Sequence, residues 1–302
     1  MLEAWRSSPR KELAVVPRTL YHYTTADGLH SMLQTGHVWA TDCFYLNDPN
    51  ELRYGFDVVR EVAEKMLARK KSLELVEFLN HLPLTITDKL EHGRIYVMSF
   101  ARHGDLLSQW RGYGATGGGY AVGFDPGRLL GRTQYEKEPY RVLRKVEYSR
   151  PKQTRVVREW LQRSVLKASL EEAEYALLFL FSDHLMNFKD SSYAEEGEWR
   201  LLLFGRHTDN SWVWPTKYRV RSGQIVPYAD IDLTQSKGPL KGRLPINTII
   251  CGPSVNWHRA RKSLSSLCES LGYRCRLHEG WEPVEVEAGV VDIRHSNIPF
   301  VP

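Results

Sequence analysis

The sequence contains few cysteines, and their spacing argues against a structural zinc site and against a disulfide framework. The four residues, Cys43, Cys251, Cys268 and Cys275, form no CxxC or CxxH pair. Structural zinc sites and disulfide frameworks both rely on such regular spacing. We therefore expect neither, and we expect the thiols to stay reduced, as they do in the cytoplasm.

Long hydrophobic runs are also missing. The most hydrophobic stretch, residues 175–181, is far shorter than the roughly 20 apolar residues that cross a bilayer. Residues 1–18 are polar, contain two prolines, and lack the apolar centre of a signal peptide. The sequence therefore predicts a cytoplasmic protein without membrane contact, in which residues 1–18 form a loosely attached leader.

The common catalytic motifs are absent as well. The sequence has no P-loop, no GxSxG, no HExxH and no dinucleotide fingerprint. The net charge of +5 is only mildly basic, and the Lys and Arg residues are scattered among acids. This charge permits contact with nucleic acid without arguing for it. Any chemistry must come from individual polar residues, and those concentrate at strand ends and turns.

The pattern of apolar residues predicts a folded chain of mixed structure. Fifteen Tyr, nine Trp and ten Phe provide the surface that a buried core needs. Strand-like alternation recurs from residue 20 to residue 295, and it is interrupted by helical insertions at about 51–92, with a break near residues 81–83, and at about 153–187. We predict one α+β domain over residues 19–302, with a mostly antiparallel sheet or sheets flanked by helices.

Three segments contain candidate site residues. His22 lies between two tyrosines in the first strand, where it is either an ordinary hydrogen-bonded strand residue or a ligand contact. Trp110 and Tyr113 flank Arg111 in a segment bounded by glycines, and such aromatic rings either enter the core or stack on a flat ring. The patterns leave both alternatives open.

The third segment, residues 193–200, is rich in acids and leads into an apolar strand. Strand alternation places Glu198 and Arg200 on one face, which predicts a carboxylate–guanidinium pair. This pair is either a structural ion pair or part of a site that holds a ribose. Glu196 precedes Glu198 at the same spacing.

Several segments in order resemble the family called bacterial domain of unknown function 2971. They are LYHYT, VWATD, LNDPNE, MSFA, QWRGYG, GGYAVGF, EEGEWRL and TIICGP, and the closing strand with SNIP. The resemblance runs from about residue 20 to the end, and LNDPNE and EEGEWRL are its most specific parts. The chain departs from the family pattern at Ala101 and at Arg111-Gly112.

The order of these motifs is also similar to that of the ADP-ribosyltransferase superfold, in its DarT-like and RNA 2′-phosphotransferase-like branches. That resemblance implies an ADP-ribosyltransferase-like fold and NAD as a substrate, with no metal. It implies that His22 holds the NAD ribose and amide, and that Trp110 or Tyr113 stacks on nicotinamide. It further implies that Glu198 binds the ribose 2′-hydroxyl, with Glu196 orienting or deprotonating the nucleophile. Tyr23, beside His22, and Arg200, beside Glu198, complete the expected NAD contacts.

Three functions follow as hypotheses. The first is an NAD-dependent ADP-ribosyltransferase or NAD glycohydrolase, acting as a bacterial toxin or phage-defence effector on a protein or nucleic-acid acceptor; it predicts that His22, Tyr113 and Glu198 share one pocket. The second is a non-catalytic sensor that binds a nucleotide or peptide. The third is a metal-dependent nuclease, in which carboxylates would hold Mg²⁺. The acids considered for it are Asp42, Asp48, Glu51, Glu196 and Glu198.

Overall fold

The protein is described from a computed structural model, and its chain divides into two compact units. The first comprises Met1–Gln34, Ala101–Leu130 and Thr234–Pro302, and the second comprises Thr35–Phe100 and Gly131–Leu233. The single domain predicted over residues 19–302 stays a prediction. Of the predicted leader, residues 1–15 lie outside the described residues. The structure describes residues 16–46, 50–69, 71–92, 95–113, 118–129, 140–167, 169–204, 207–208, 211–212, 216–221, 223–281 and 286–299.

The first unit is built on a five-stranded mixed sheet with the order β1-β4-β11-β13-β12. The pairs β1–β4 and β4–β11 are antiparallel, whereas β13 runs parallel to both β11 and β12. These parallel pairs are possible because a helix carries the chain back across the sheet between β11 and β12. The strands are β1 (Leu20–Thr24), β4 (Tyr120–Phe124), β11 (Ile246–Cys251), β12 (Arg274–Leu277) and β13 (Val290–His295).

Among the described residues of this unit, four segments are helical. The longest has the apolar spacing of an amphipathic helix, and its buried residues are Ala260, Leu264 and Cys268. It begins where the Asn256 side chain accepts a hydrogen bond from the Arg259 amide at 3.1 Å, and Gly272 follows its end with φ of 81°. The helices are α1 (Ala26–Thr35), α4 (Leu107–Tyr113), the single turn α5 (Pro126–Leu129) and α8 (Trp257–Ser270).

The second unit contains a six-stranded antiparallel sheet with the order β5-β6-β3-β2-β10-β9. A two-stranded ribbon, β7–β8, accompanies it. The strands are β2 (His37–Asp42), β3 (Ile95–Phe100), β5 (Tyr140–Lys145), β6 (Trp199–Phe204), β7 (His207–Thr208), β8 (Ser211–Trp212), β9 (Thr216–Arg221) and β10 (Gln224–Asp232).

In the described part of the second unit, four helices pack on one side of this sheet. Their apolar faces pack together and onto Val97, Val142 and Leu202 of three neighbouring strands. They are α2 (Asn50–Arg69), α3 (Leu73–His92), α6 (Arg150–Ser164) and α7 (Leu170–Asp183), and three short 3₁₀ turns, Cys43–Tyr45, Leu185–Asn187 and Ser191–Glu196, complete the unit. The helical insertions predicted near 51–92 and 153–187 correspond to these two helix pairs.

The break that the sequence predicts near residues 81–83 is wrong. Helix α3 continues through Pro83; instead, α2 ends at Arg69 and α3 begins at Leu73. The Ser72 side chain there accepts a hydrogen bond from the Leu75 amide at 3.3 Å, which favours a helix start. A capping hydroxyl therefore places the boundary. The predicted class, α+β with a mostly antiparallel sheet flanked by helices, is confirmed, whereas the likeness to ADP-ribosyltransferases stays a prediction.

Candidate functional site

A buried ion pair marks the start of β6 in the second unit. The Arg200 guanidinium donates to both oxygens of the Glu198 carboxylate, from Nε to Oε1 at 2.8 Å and from Nη2 to Oε2 at 3.0 Å. Its Nη1 donates to the Met186 carbonyl at 2.5 Å. Glu198 is 6% exposed and Arg200 is 2% exposed. The carboxylate–guanidinium pair predicted from strand alternation is thus confirmed, in a bidentate form that charged hydrogen bonds favour.

Lys189 joins the two glutamates of the predicted site. Its ammonium group donates to Glu196 Oε2 at 2.6 Å and to Glu198 Oε2 at 3.1 Å. The same group lies 4.9 Å from the centre of the Tyr193 ring, a cation–π distance. Asp190, the residue after Lys189, caps the 3₁₀ turn Ser191–Glu196. This turn brings Glu196 back toward Lys189. Glu196, Glu198, Lys189 and Arg200 form what we call the charged cluster.

Electrostatics keep Glu198 ionised despite its burial. Burial alone would raise the pKa of its carboxyl, but the Arg200 guanidinium, the Lys189 ammonium and a hydrogen bond with Ser99 together lower the pKa to about 2. Ser99 lies opposite Arg200 in the β3–β6 pairing, so the sheet register places the hydroxyl at the cluster. The cluster therefore holds two anions and two cations near neutral pH, and their formal charges balance.

Hydrogen bonds from buried or half-buried side chains fix the backbone around the cluster. The Glu198 amide donates to the Tyr148 hydroxyl at 3.0 Å. Gln153, which is fully buried on α6, donates from Nε2 to the carbonyls of Glu147 at 2.6 Å and Lys189 at 3.0 Å. Its Oε1 accepts from the Tyr54 hydroxyl at 3.0 Å. These hydrogen bonds hold α2, α6 and the start of β6 in one arrangement.

A pocket of about 400 Å³ opens beside the charged cluster, within the second unit. It falls within the range of roughly 300 to 1,000 Å³ that small-molecule sites occupy. Tyr148 belongs to both features, because it lines the pocket and also binds the Glu198 amide. The pocket is lined by Tyr54, Asp57, Tyr148, Arg150, Asp190 and Ser191.

The acids considered as metal ligands do not form such a group where the structure describes them. Asp48 and the side chain of Glu51 lie outside the described residues. Asp42 accepts a hydrogen bond from the Phe44 amide at 3.0 Å, as the cap of a 3₁₀ turn. Glu196 and Glu198 do converge, but on the ammonium group of Lys189. Among the described side chains, no group of three or more His, Cys, Asp and Glu could hold a metal ion.

The remaining predicted residues lie in the first unit, and two of the four are buried. His22 is half-buried in β1, opposite Val122 of β4. Tyr23 and Trp110 form an edge-to-face pair in the core, with ring centres 4.7 Å apart. Tyr113, at the end of α4, is 41% exposed and is thus the member of the predicted aromatic pair that presents a face to solvent.

Asp105 explains why Trp110 points inward. It accepts hydrogen bonds from the Trp110 indole at 2.7 Å, the Ser296 hydroxyl at 2.5 Å and the Asn297 amide at 2.8 Å. The Tyr23 hydroxyl donates to the His103 carbonyl at 2.9 Å and accepts from the Leu106 amide at 3.0 Å. The indole N–H of a buried Trp and the hydroxyl of a buried Tyr usually have hydrogen-bond partners, as they do here.

Several site residues escape sequence reasoning. Lys189, Tyr148 and Gln153 belong to none of the segments that suggested chemistry, and each reaches the charged cluster only through the fold. The sequence offers a signal for Lys189 alone, because a single lysine just before an acid-rich segment is a natural ion-pair partner for those acids. The prediction that His22 and Tyr113 share a pocket with Glu198 stays a prediction, since it joins residues of different units.

The chain was also compared with known proteins. Residues 109–201 match the family described as protein of unknown function, DUF2971. The resemblance to DUF2971 is confirmed over these residues. The DUF2971 segment contains all four residues of the charged cluster, together with Tyr148 and Gln153. No curated protein and no solved structure matches the chain. Where the structure describes the chain, each helix is too short or too polar to span a bilayer.

Proposed function

We propose that the protein is an NAD-dependent ADP-ribosyltransferase or NAD glycohydrolase whose reacting site lies beside the charged cluster. One observation carries this proposal. Glu196 and Glu198, at the spacing of an ExE pair, meet at one ammonium group, and a pocket with aromatic walls opens next to them. A role as a toxin or antiviral effector, with a protein or nucleic acid as acceptor, belongs to the same proposal.

The chemistry gives the two glutamates different roles. Breaking the nicotinamide–ribose bond creates an oxocarbenium-like sugar, which a nearby carboxylate stabilises. Glu198 is ionised and held in place by Arg200, so it supplies a fixed negative potential. Glu196 is less buried, with its side chain 17% exposed, and is the carboxylate better placed to contact a substrate or an incoming nucleophile. In this proposal Arg200 is a positioning residue.

The residues of the first unit enter the proposal on a separate argument. The resemblance assigns the ribose and amide of NAD to His22 and the nicotinamide ring to Tyr113, and both assignments stay separate predictions about the first unit. Tyr113 is preferred over Trp110 because Trp110 is fully buried and bound to Asp105. Tyr23 is likewise buried, so its contribution would be to hold the loop that carries His103 and Leu106.

The test is nicotinamide release from NAD and ADP-ribose incorporation in a cell lysate, both followed by mass spectrometry. The informative variant is Glu196→Gln, because it removes a carboxylate without breaking the Glu198–Arg200 pair. Glu195→Gln is the matched control, since Glu195 is an exposed neighbour in the same turn. We expect release by the wild type and by Glu195→Gln, and a loss of about a hundredfold or more in Glu196→Gln. Absence of nicotinamide release from the wild-type protein, with and without lysate, would overturn the proposal.

One observation favours the second candidate, a non-catalytic sensor of a nucleotide or peptide. Both oxygens of Glu198 are taken by Arg200 and Lys189, and the charges of the cluster balance. Such a carboxylate stabilises the fold and leaves the adjacent pocket to bind a ligand. Saturable binding of NAD or ADP-ribose without any turnover would support this candidate over the enzyme.

A further inference from the structure

We propose that the pocket beside the charged cluster binds a flat cationic ring of the pyridinium type, such as the nicotinamide end of NAD. The choice of NAD as the source of that ring rests on the proposed function. The preference for a cation rests on the walls of the pocket alone. It assigns the nicotinamide ring to this pocket, in place of the stacking on Tyr113 that the resemblance implies.

Aromatic surface provides the first part of the argument. Tyr54 and Tyr148 both line the pocket. The Arg150 guanidinium carbon already lies 5.6 Å from the centre of the Tyr54 ring, so this wall accommodates a planar cation in the structure itself. Tyr148 is held by the Glu198 amide at its hydroxyl, which fixes the ring in place. A flat cation would find a pre-positioned aromatic surface here.

Charge provides the second part. The only lining cation among the described residues, Arg150, is already paired with Glu61. Two carboxylates, Asp57 and Asp190, line the pocket together with this single guanidinium. Asp190 stays ionised because hydrogen bonds from Ser192 lower the pKa of its carboxyl. Within the described part of the chain, Asp57 has no ion-pair partner. The pocket therefore carries an excess of negative charge and favours a cationic ligand.

Position provides the third part. Asp190 follows Lys189 directly, and Tyr148 binds the Glu198 amide, so two walls of the pocket belong to the backbone that carries the charged cluster. A pyridinium ring in the pocket would therefore lie against the backbone segments that carry the two glutamates. The cavity of about 400 Å³ accepts such a ring and its substituents.

The experiment compares two probes of nearly the same shape. 1-Methylnicotinamide, which is methylated at the ring nitrogen, carries a permanent positive charge, whereas nicotinamide is neutral. Binding of each would be measured by calorimetry and by ligand-observed NMR on the full-length protein. We expect the cation to bind about tenfold more tightly, the size of a cation–π contact plus one partly screened charge.

The variant Asp57→Asn keeps the shape of the side chain and removes its charge. We expect it to lower the affinity for the cation several-fold and to leave the part of the preference that the aromatic walls supply. Glu64→Gln is the matched control, because Glu64 is an exposed acid about two turns along the same helix. Thermal unfolding of each variant, followed by circular dichroism, would verify that it folds. Equal affinities for the two probes, no saturable binding of the cation, or unchanged binding in Asp57→Asn would each overturn the inference.

The proposed function can fail separately. Cation binding that depends on Asp57, in a protein that never cleaves NAD, would sustain the pocket and overturn the enzyme. If instead Asp57→Asn cleaved NAD at the wild-type rate and the wild-type protein showed no preference for the cation, the enzyme would be sustained and the inference about the pocket overturned.

Discussion

Glu198 and Arg200, two residues apart at the start of β6, form a two-point ion pair with both side chains almost completely removed from solvent. A buried ion pair contributes little net stability relative to an apolar pair, since both charges lose their hydration. Removing one partner, however, strands the other charge in the interior. The pair is therefore a sensitive point of the second unit.

Replacing Arg200 by Met should strongly destabilise the protein. Glu198 would keep only Lys189 and Ser99 to offset its burial, and the expected loss in the free energy of unfolding is about 3 to 5 kcal/mol. Urea unfolding followed by circular dichroism would measure it. Arg144→Met is the control, because Arg144 lies opposite Arg200 on β5 and pairs with Asp183 in a partly exposed position. It should cost about 1 kcal/mol or less. Similar losses in the two variants would contradict the account of the cluster.

The stability of the protein should fall in acid because of Glu198. The cluster lowers the pKa of this carboxyl from 4.5 to about 2, so the folded state holds the proton more weakly than the unfolded state. The stabilisation is complete above pH 4.5 and is lost as the pH falls toward 2. Urea midpoints between neutral pH and pH 3 would show this decline, and Glu198→Gln should weaken it. An identical pH dependence in Glu198→Gln and in Glu195→Gln would exclude Glu198 as its source.

Asp105 should be essential to the core of the first unit. Asp105→Ala would leave the Trp110 indole buried without its acceptor, and it would also release Ser296 and Asn297. We expect a loss of about 2 kcal/mol in the free energy of unfolding. Denaturant titration with tryptophan fluorescence would measure it. Asp27→Ala, an exposed acid in α1, serves as the control and should change stability by less than about 0.5 kcal/mol.

Gln153 should matter to the second unit far beyond its size. Gln153→Leu would remove the hydrogen bonds to the carbonyls of Glu147 and Lys189 and to the Tyr54 hydroxyl. The expected loss is about 2 to 3 kcal/mol, because buried carbonyl groups would be left without donors. Gln162→Leu, at an exposed position of the same helix, should be close to neutral. If both variants unfold at the wild-type denaturant midpoint, the proposed role of Gln153 is wrong.

Local pattern was sufficient for much of the architecture. The strand at residues 20–24, the helix that stops at Gly36 and the strand that leads from Trp199 all follow from periodicity and turn residues. The Glu198–Arg200 pair was predictable for the same reason, since two residues at strand spacing share a face wherever the strand lies. The predicted boundary between α2 and α3 was misplaced because Pro83, a proline inside a helical pattern, is a stronger sequence signal for a helix boundary than a single capping serine.

The amino-acid sequence by itself determined the class of fold, the DUF2971 resemblance and the pairing of Glu198 with Arg200. Each depends on residues close together in the chain. Tertiary structure alone decided that Trp110 is a core residue bound to Asp105, that Lys189 joins Glu196 to Glu198, and that a pocket with two carboxylates opens beside Tyr148. Trp110 and Lys189 lie close to their partners in the chain, but a turn and burial decide whether the side chains meet. Burial and charge pairing are properties of neighbours in space that no periodic pattern contains.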